Sequence, residues 1–139
     1  MLNKTAHVSE AMFSKKIESV PVRDGFGEGM VRLGRENPLV VALTADLKES
    51  TRIHRFAAEF PDRFIECGVS EQGMITVASG LANYGKIPFA CSFAAFSPGR
   101  NWEQIRTTIC LNDVPVKIAG LFVGVTVGAD GATHQMLED

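Results

Sequence analysis

Apolar and polar positions along this chain fall into two kinds of block. Short continuous apolar runs, Leu39-Val40-Val41-Ala42-Leu43 and Pro88-Phe89-Ala90-Cys91-Ser92-Phe93, are bounded by turn residues. That is the pattern of strands buried on both faces. Phe64-Ile65-Glu66-Cys67 and Pro115-Val116-Lys117-Ile118-Ala119-Gly120-Leu121-Phe122 read as two further strands. Longer segments with helical spacing lie between them. Residues 22–36 put Phe26, Met30, Val31 and Leu33 on one side, with Asp24 as the cap and Asn37-Pro38 as the stop. Residues 51–59 predict a short helix closed by Pro61. Residues 71–84 predict a helix that is apolar on nearly all sides, with Ser70 as N-cap and Gly85 as C-cap, which belongs in an interior or at an interface. Residues 101–111 place Trp102, Ile105 and Ile109 on one side, and residues 133–139 begin another helix.

Strands alternate with helices four times, so the predicted class is α/β, a mainly parallel sheet flanked by helices. Residues 1–20, which mix Lys, Ser and Glu with scattered apolar positions, are expected to form an N-terminal arm. Residues 21–139 form the domain, and its last helix stops short, so it is expected to be C-terminally incomplete.

With 139 residues there is enough chain for one domain that buries roughly two thirds of its unfolded surface. The net charge of −2 removes the basic excess that nucleic-acid binding requires. No apolar run approaches a membrane span, and residues 1–20 lack the apolar core of a signal peptide. Cys67, Cys91 and Cys110 are odd in number and widely spaced, which argues against a zinc site or disulfide framework and for a reducing cytoplasm. All three are expected to be buried. The glycine-rich Gly25-Phe26-Gly27-Glu28-Gly29 lacks the spacing and the preceding strand of a dinucleotide loop.

Candidate chemistry gathers where strands end. Glu71, in Gly68-Val69-Ser70-Glu71-Gln72-Gly73-Met74, follows a strand and opens a helix. From those residues alone, helix capping is the favoured role. Asp46 and Ser50 follow the first strand, where ligands of open α/β sheets sit, though Asp46 serves equally well as a turn residue. Phe93 and Phe96 read first as core, and Asp130 and His134 lie in a glycine-punctuated loop after the last strand.

Taken in order, Ala45-Asp46-Leu47 with Ser50-Thr51, Phe60-Pro61-Asp62-Arg63-Phe64, Gly68-Val69-Ser70-Glu71-Gln72, Ser92-Phe93-Ala94-Ala95-Phe96 and Asp130-Gly131-Ala132-Thr133-His134-Gln135 resemble the pyrimidine-binding domain of the transketolase family. The likeness is strongest to the C-terminal subunit of split, two-chain transketolases and runs over residues 20–139. It implies a thiamine-diphosphate enzyme, a transferase passing a two-carbon ketol unit from a ketose phosphate to an aldose phosphate. Glu71 matches the glutamate that hydrogen-bonds N1′ of the cofactor's aminopyrimidine. A carboxyl group that donates that bond must keep its proton, which an apolar wall of Val69, Met74, Phe93 and Phe96 favours. Phe93 and Phe96 match aromatics that hold the pyrimidine, and Asp46 and Leu47 match residues lining the cofactor. Arg23 and Ser50 match sugar-phosphate contacts; Asp130 and His134 match contacts to donor hydroxyls. Phe122 and Ala129 depart from the pattern, Phe122 standing where many members carry a substrate-binding histidine.

The resemblance also implies what lies elsewhere. The diphosphate and its Mg²⁺ or similar metal belong to a partner chain, the transketolase N-terminal subunit, and this chain holds no metal. The expected assembly is a homodimer or heterotetramer, inactive without that partner. Runners-up are a deoxyxylulose-phosphate synthase, a 2-oxo acid dehydrogenase β subunit, and a family member that binds without turnover. A phospho-receiver module with Asp46 as acceptor lacks the further acidic pair and the lysine it needs.

Overall fold

The computed structural model describes residues 10–14, 17 and 19–138. Its four strands are β1 (Val40–Thr44), β2 (Phe64–Glu66), β3 (Ile87–Phe93) and β4 (Lys117–Leu121). They form one sheet in the order β2-β1-β3-β4, and every pair is parallel. The helices are α1 (Val22–Glu36), α2 (His54–Glu59), α3 (Glu71–Asn83) and α4 (Trp102–Gln104), the last continuing as a π-helical stretch, Ile105–Cys110.

β1 is buried at all five positions, and its side chains alternate between two cores. Val40 and Ala42 face Met30 of α1, Ile53 just before α2 and Phe56 within it. Val41 and Leu43 face Met74, Ile75 and Ala78 of α3 and Ile109 after α4. The sheet is thus covered on both faces, which explains why its central strands read as unbroken apolar runs. Gly27 sits where α1 meets the loop before α2: a Cβ there would lie 2.8 Å from the Arg52 Cβ and from its carbonyl oxygen.

Several expectations need correction. α1 begins at Val22, and Asp24 is not its cap. The Asp24 carboxylate instead pairs with Arg52 at 2.8 Å and Arg55 at 3.2 Å, tying α1 to α2. Ser70 stands at the N-cap of α3 without a side-chain capping bond. One side of that helix, Gln72, Thr76, Val77 and Gly80, is exposed in the single chain. Gly85 follows its end with φ +79°, as a glycine C-cap should. Trp102 is 62% exposed, so only Ile105 and Ile109 of the predicted stripe pack inward. No helix starts at residue 133. Gly128–Thr133 is a 3-10 segment, and Met136 then bridges Gly124 in antiparallel fashion. Gly131, at φ +68°, breaks the helical turn just before that segment.

Of the three thiols, Cys91 is buried, Cys67 half-buried and Cys110 exposed. The predicted arm falls largely outside the described residues; within it Glu10–Phe13 is an exposed 3-10 turn. Among the described residues no helix is long and apolar enough to cross a membrane.

Candidate active site

β1 and β3 are neighbours whose onward connections leave in opposite directions, to β2 at one edge and to β4 at the other. Such a switch point opens a crevice at the strands' carboxyl ends. Loops from all four strands carry the candidate residues to that end.

Glu66, the last residue of β2, clamps two of these loops. Its Oε1 accepts the Asp46 N–H at 2.7 Å and the Gly68 N–H at 3.1 Å. Asp46 has φ +60°, a left-handed conformation that the clamp holds in place. Below them, the Thr44 hydroxyl donates to the Cys91 carbonyl at 2.9 Å and the Cys91 thiol to the Leu43 carbonyl at 3.1 Å, locking β1 to β3. Burial pushes the Cys91 thiol up to about 12, so it is packing rather than a nucleophile. Leu47 is half-buried, and its carbonyl accepts the Thr51 hydroxyl at 2.7 Å.

Glu71 opens α3 and is only 2% exposed. An acidic residue used purely for capping would sit in water; this one is drawn inside. Its wall is not wholly apolar, which corrects the expectation. Val69 is 72% exposed and forms no part of it. Arg100 Nη1 donates to Glu71 Oε2 at 2.8 Å. The Arg100 guanidinium also lies over the Phe96 ring, 4.7 Å from its centre. Asn101, fully buried, donates through Nδ2 to the Glu71 carbonyl at 3.1 Å and to the Ser97 hydroxyl at 3.0 Å.

Phe93 and Phe96 stack nearly parallel, 8° apart, with centres separated by 6.0 Å. Together they present an aromatic surface beside Arg100. His134 meets both edge-on, at 5.9 Å from Phe93 and 5.1 Å from Phe96. Its Nδ1 is 2.8 Å from the Thr133 hydroxyl, which in turn donates to the Asp130 carbonyl. The Asp130 side chain is exposed, and no hydrogen bond or ion pair joins it to the other candidates among the described residues. Phe122 packs on Phe93 at 4.4 Å from a backbone with φ +58°.

Arg23 lies over Phe122 at 5.3 Å and donates to the Ser50 carbonyl at 3.3 Å. Arg23 and Phe122 line an open cleft of about 540 Å³ with Gly120, Leu121, Val123 and Thr126. The structure thus brings Arg23, Ser50, Phe93, Phe96, Phe122 and His134 into one connected cluster, with Glu71 joined to it through Arg100.

Glu66, Arg100 and Asn101 escaped the reading of the sequence. Arg100 lies 29 residues from Glu71, and only the sheet order brings them together. The one available signal was Asn101, a polar residue at the foot of a helix, one residue beyond the Ser97-Pro98-Gly99 turn.

These features define an α/β domain that carries a buried carboxylate and an aromatic cluster at the carboxyl end of a parallel sheet. Residues 18–139 match the family model described as "Transketolase, pyrimidine binding domain". A putative transketolase C-terminal section from Methanocaldococcus jannaschii is 50% identical over 118 residues, covering 85% of this chain and 37% of that protein. A 1-deoxy-D-xylulose-5-phosphate synthase from Syntrophus aciditrophicus is 42% identical over 114 residues, covering 82% of this chain and 17% of the synthase. A solved structure described as a split gene transketolase, inactive beta4 tetramer, superposes with a TM-score of 0.70 at 44% identity, over 84% of this chain and 37% of that one. The chain belongs to the transketolase pyrimidine-binding domain family. It spans well under half the length of these relatives.

Proposed function

We propose that this chain supplies the pyrimidine half of a thiamine-diphosphate site in a split, transketolase-type transferase. The observation that carries the reading is the inward-drawn Glu71 carboxylate beside the Phe96 ring. When bound, the cofactor supplies an acidic thiazolium carbon and an electron sink for cleavage next to a ketose carbonyl. The residues here fit its pyrimidine end. A planar cation already rests on Phe96 while donating to Glu71, so a flat nitrogen heterocycle finds both a face and a hydrogen-bonding partner. Glu71 would hold the pyrimidine through a hydrogen bond to a ring nitrogen, and the aromatic cluster would keep water from that bond. Asp46 and Leu47 would complete the set of residues that hold the cofactor. Arg23 and Ser50 receive the sugar phosphate near the 540 Å³ cleft, and Asp130 and His134 hold donor hydroxyls.

On this reading the diphosphate and Mg²⁺ fall to a transketolase N-terminal subunit, and the β4 relative, an assembly described as inactive, supports this division of labour. Domain limits of residues 1–20 for the arm and 21–139 for the pyrimidine-binding unit go with this reading. Mixing the protein with the diphosphate-binding subunit, thiamine diphosphate and Mg²⁺ is expected to give ketol transfer between sugar phosphates. Turnover by this chain alone would contradict it.

Phe122 and the 42% identity to a synthase favour a second reading, a deoxyxylulose-phosphate synthase-like enzyme. Phenylalanine offers no hydrogen bond to a donor hydroxyl at that point. Pyruvate accepted in place of a ketose phosphate would support this alternative.

A further inference from the structure

The Arg100 side chain makes two contacts at once: an ion pair with Glu71 Oε2 at 2.8 Å and a cation–π contact with Phe96 at 4.7 Å. A guanidinium is flat, and its edge carries N–H donors. An aminopyrimidine is also flat and also presents nitrogen to a carboxylate. The two contacts made by Arg100 are those assigned above to the cofactor's pyrimidine. Both cannot hold Glu71 and the Phe96 face together.

We propose that Arg100 is a built-in stand-in for the pyrimidine, a cap that satisfies Glu71 while the site is empty and swings out when the cofactor enters. This rests on the reading of Glu71 given above. Three features suit a movable cap. The Arg100 side chain is 48% exposed whereas Glu71 is 2% exposed, so the cation has water to move into and the carboxylate does not. Arg100 follows Gly99, whose missing side chain lets the loop fold onto the Ala95 carbonyl. Asn101 fixes the other end of that loop to the Glu71 backbone, so the guanidinium can leave without unseating the carboxylate. The cap also spares the empty protein a buried, unpaired charge.

The cost of uncapping lowers apparent affinity by the fraction of molecules already open. Arg100→Met keeps the stem and removes the guanidinium. Thiamine diphosphate binding, measured by calorimetry with Mg²⁺ on the assembled protein stripped of cofactor, is expected to tighten about tenfold in this variant. Methylguanidinium should restore the weaker affinity in Arg100→Met, whereas sodium chloride at equal ionic strength should not. Unchanged or weaker binding in Arg100→Met overturns the cap, as does a failure of methylguanidinium to compete. Glu71→Gln made in the Arg100→Met background, where the cap is already absent, separates the two claims. If it leaves affinity unchanged, the assignment of Glu71 to the pyrimidine fails and the cap fails with it; if it weakens binding while Arg100→Met does not tighten it, only the cap fails.

Discussion

Removing the Glu66 carboxylate tests how the sheet's end holds the site together. One oxygen accepts two backbone N–H groups, from Asp46 at 2.7 Å and Gly68 at 3.1 Å. Hydrogen bonds to a charged group contribute about 1.5–3 kcal/mol each when shielded, and neutral ones about 0.5–1.5. Glu66 is exposed, so water replaces part of what Glu66→Ala removes, and the lower range applies. Two bonds at roughly 0.75 kcal/mol give a loss of about 1.5 kcal/mol. For a cooperative unit of 139 residues the unfolding entropy makes 1 kcal/mol worth about 3 °C, so Tm should fall by about 5 °C. Glu66→Gln keeps an acceptor oxygen and should lose about half as much. Because the clamp fixes the loops of Asp46 and Glu71, thiamine diphosphate affinity should fall in parallel with Tm across the two variants. Calorimetric scans and binding titrations on the same preparations check this. A Glu66→Ala protein with unchanged Tm, or one that melts early yet binds normally, would refute the clamp.

Asn101→Ala removes a fully buried donor to the Glu71 carbonyl and should cost about 1–3 kcal/mol in urea unfolding, with weaker cofactor binding. Gly27→Ala drives a methyl to 2.8 Å from the Arg52 backbone oxygen and should destabilise by about 1–3 kcal/mol, measured the same way. The Cys91 thiol is raised by burial from 9.0 to about 12, so above pH 9 the unfolded chain releases a proton that the folded chain keeps. Stability should therefore fall as pH rises from 9 towards 12, by up to about 1.4 kcal/mol per unit from this group. Urea midpoints across that range should fall less steeply in Cys91→Ala.

The fold was legible because its physics is local. β1 and β3 are apolar at nearly every position, and only a doubly covered sheet buries such runs. Glycine and proline marked the helix ends to within a few residues. What escaped was set by pairing across the sheet. Asp24 reads as a cap in sequence, but α2 and the loop before it bring two arginines to it. Residues 133–139 carry a helical pattern, yet Met136 gains a bridge to Gly124 instead. At the site, single residues were visible while their partners were not: Glu71 showed itself through its place between strand and helix, but nothing near it in sequence announces Arg100. Phe93 and Phe96, three apart, read first as core, and in the fold they join Phe122 and His134 in one aromatic cluster.

The exchange of the cofactor's thiazolium C2 proton for deuterium, followed by NMR on the assembled protein with thiamine diphosphate and Mg²⁺, reports directly on what Glu71 does. Positioned acid–base contacts contribute about 10²–10⁴-fold, so Glu71→Ala should slow exchange by at least about 100-fold while the cofactor stays bound at saturating concentration. Exchange in Glu71→Ala as fast as in the unaltered protein would show that the buried carboxylate is not the group that acts on the pyrimidine.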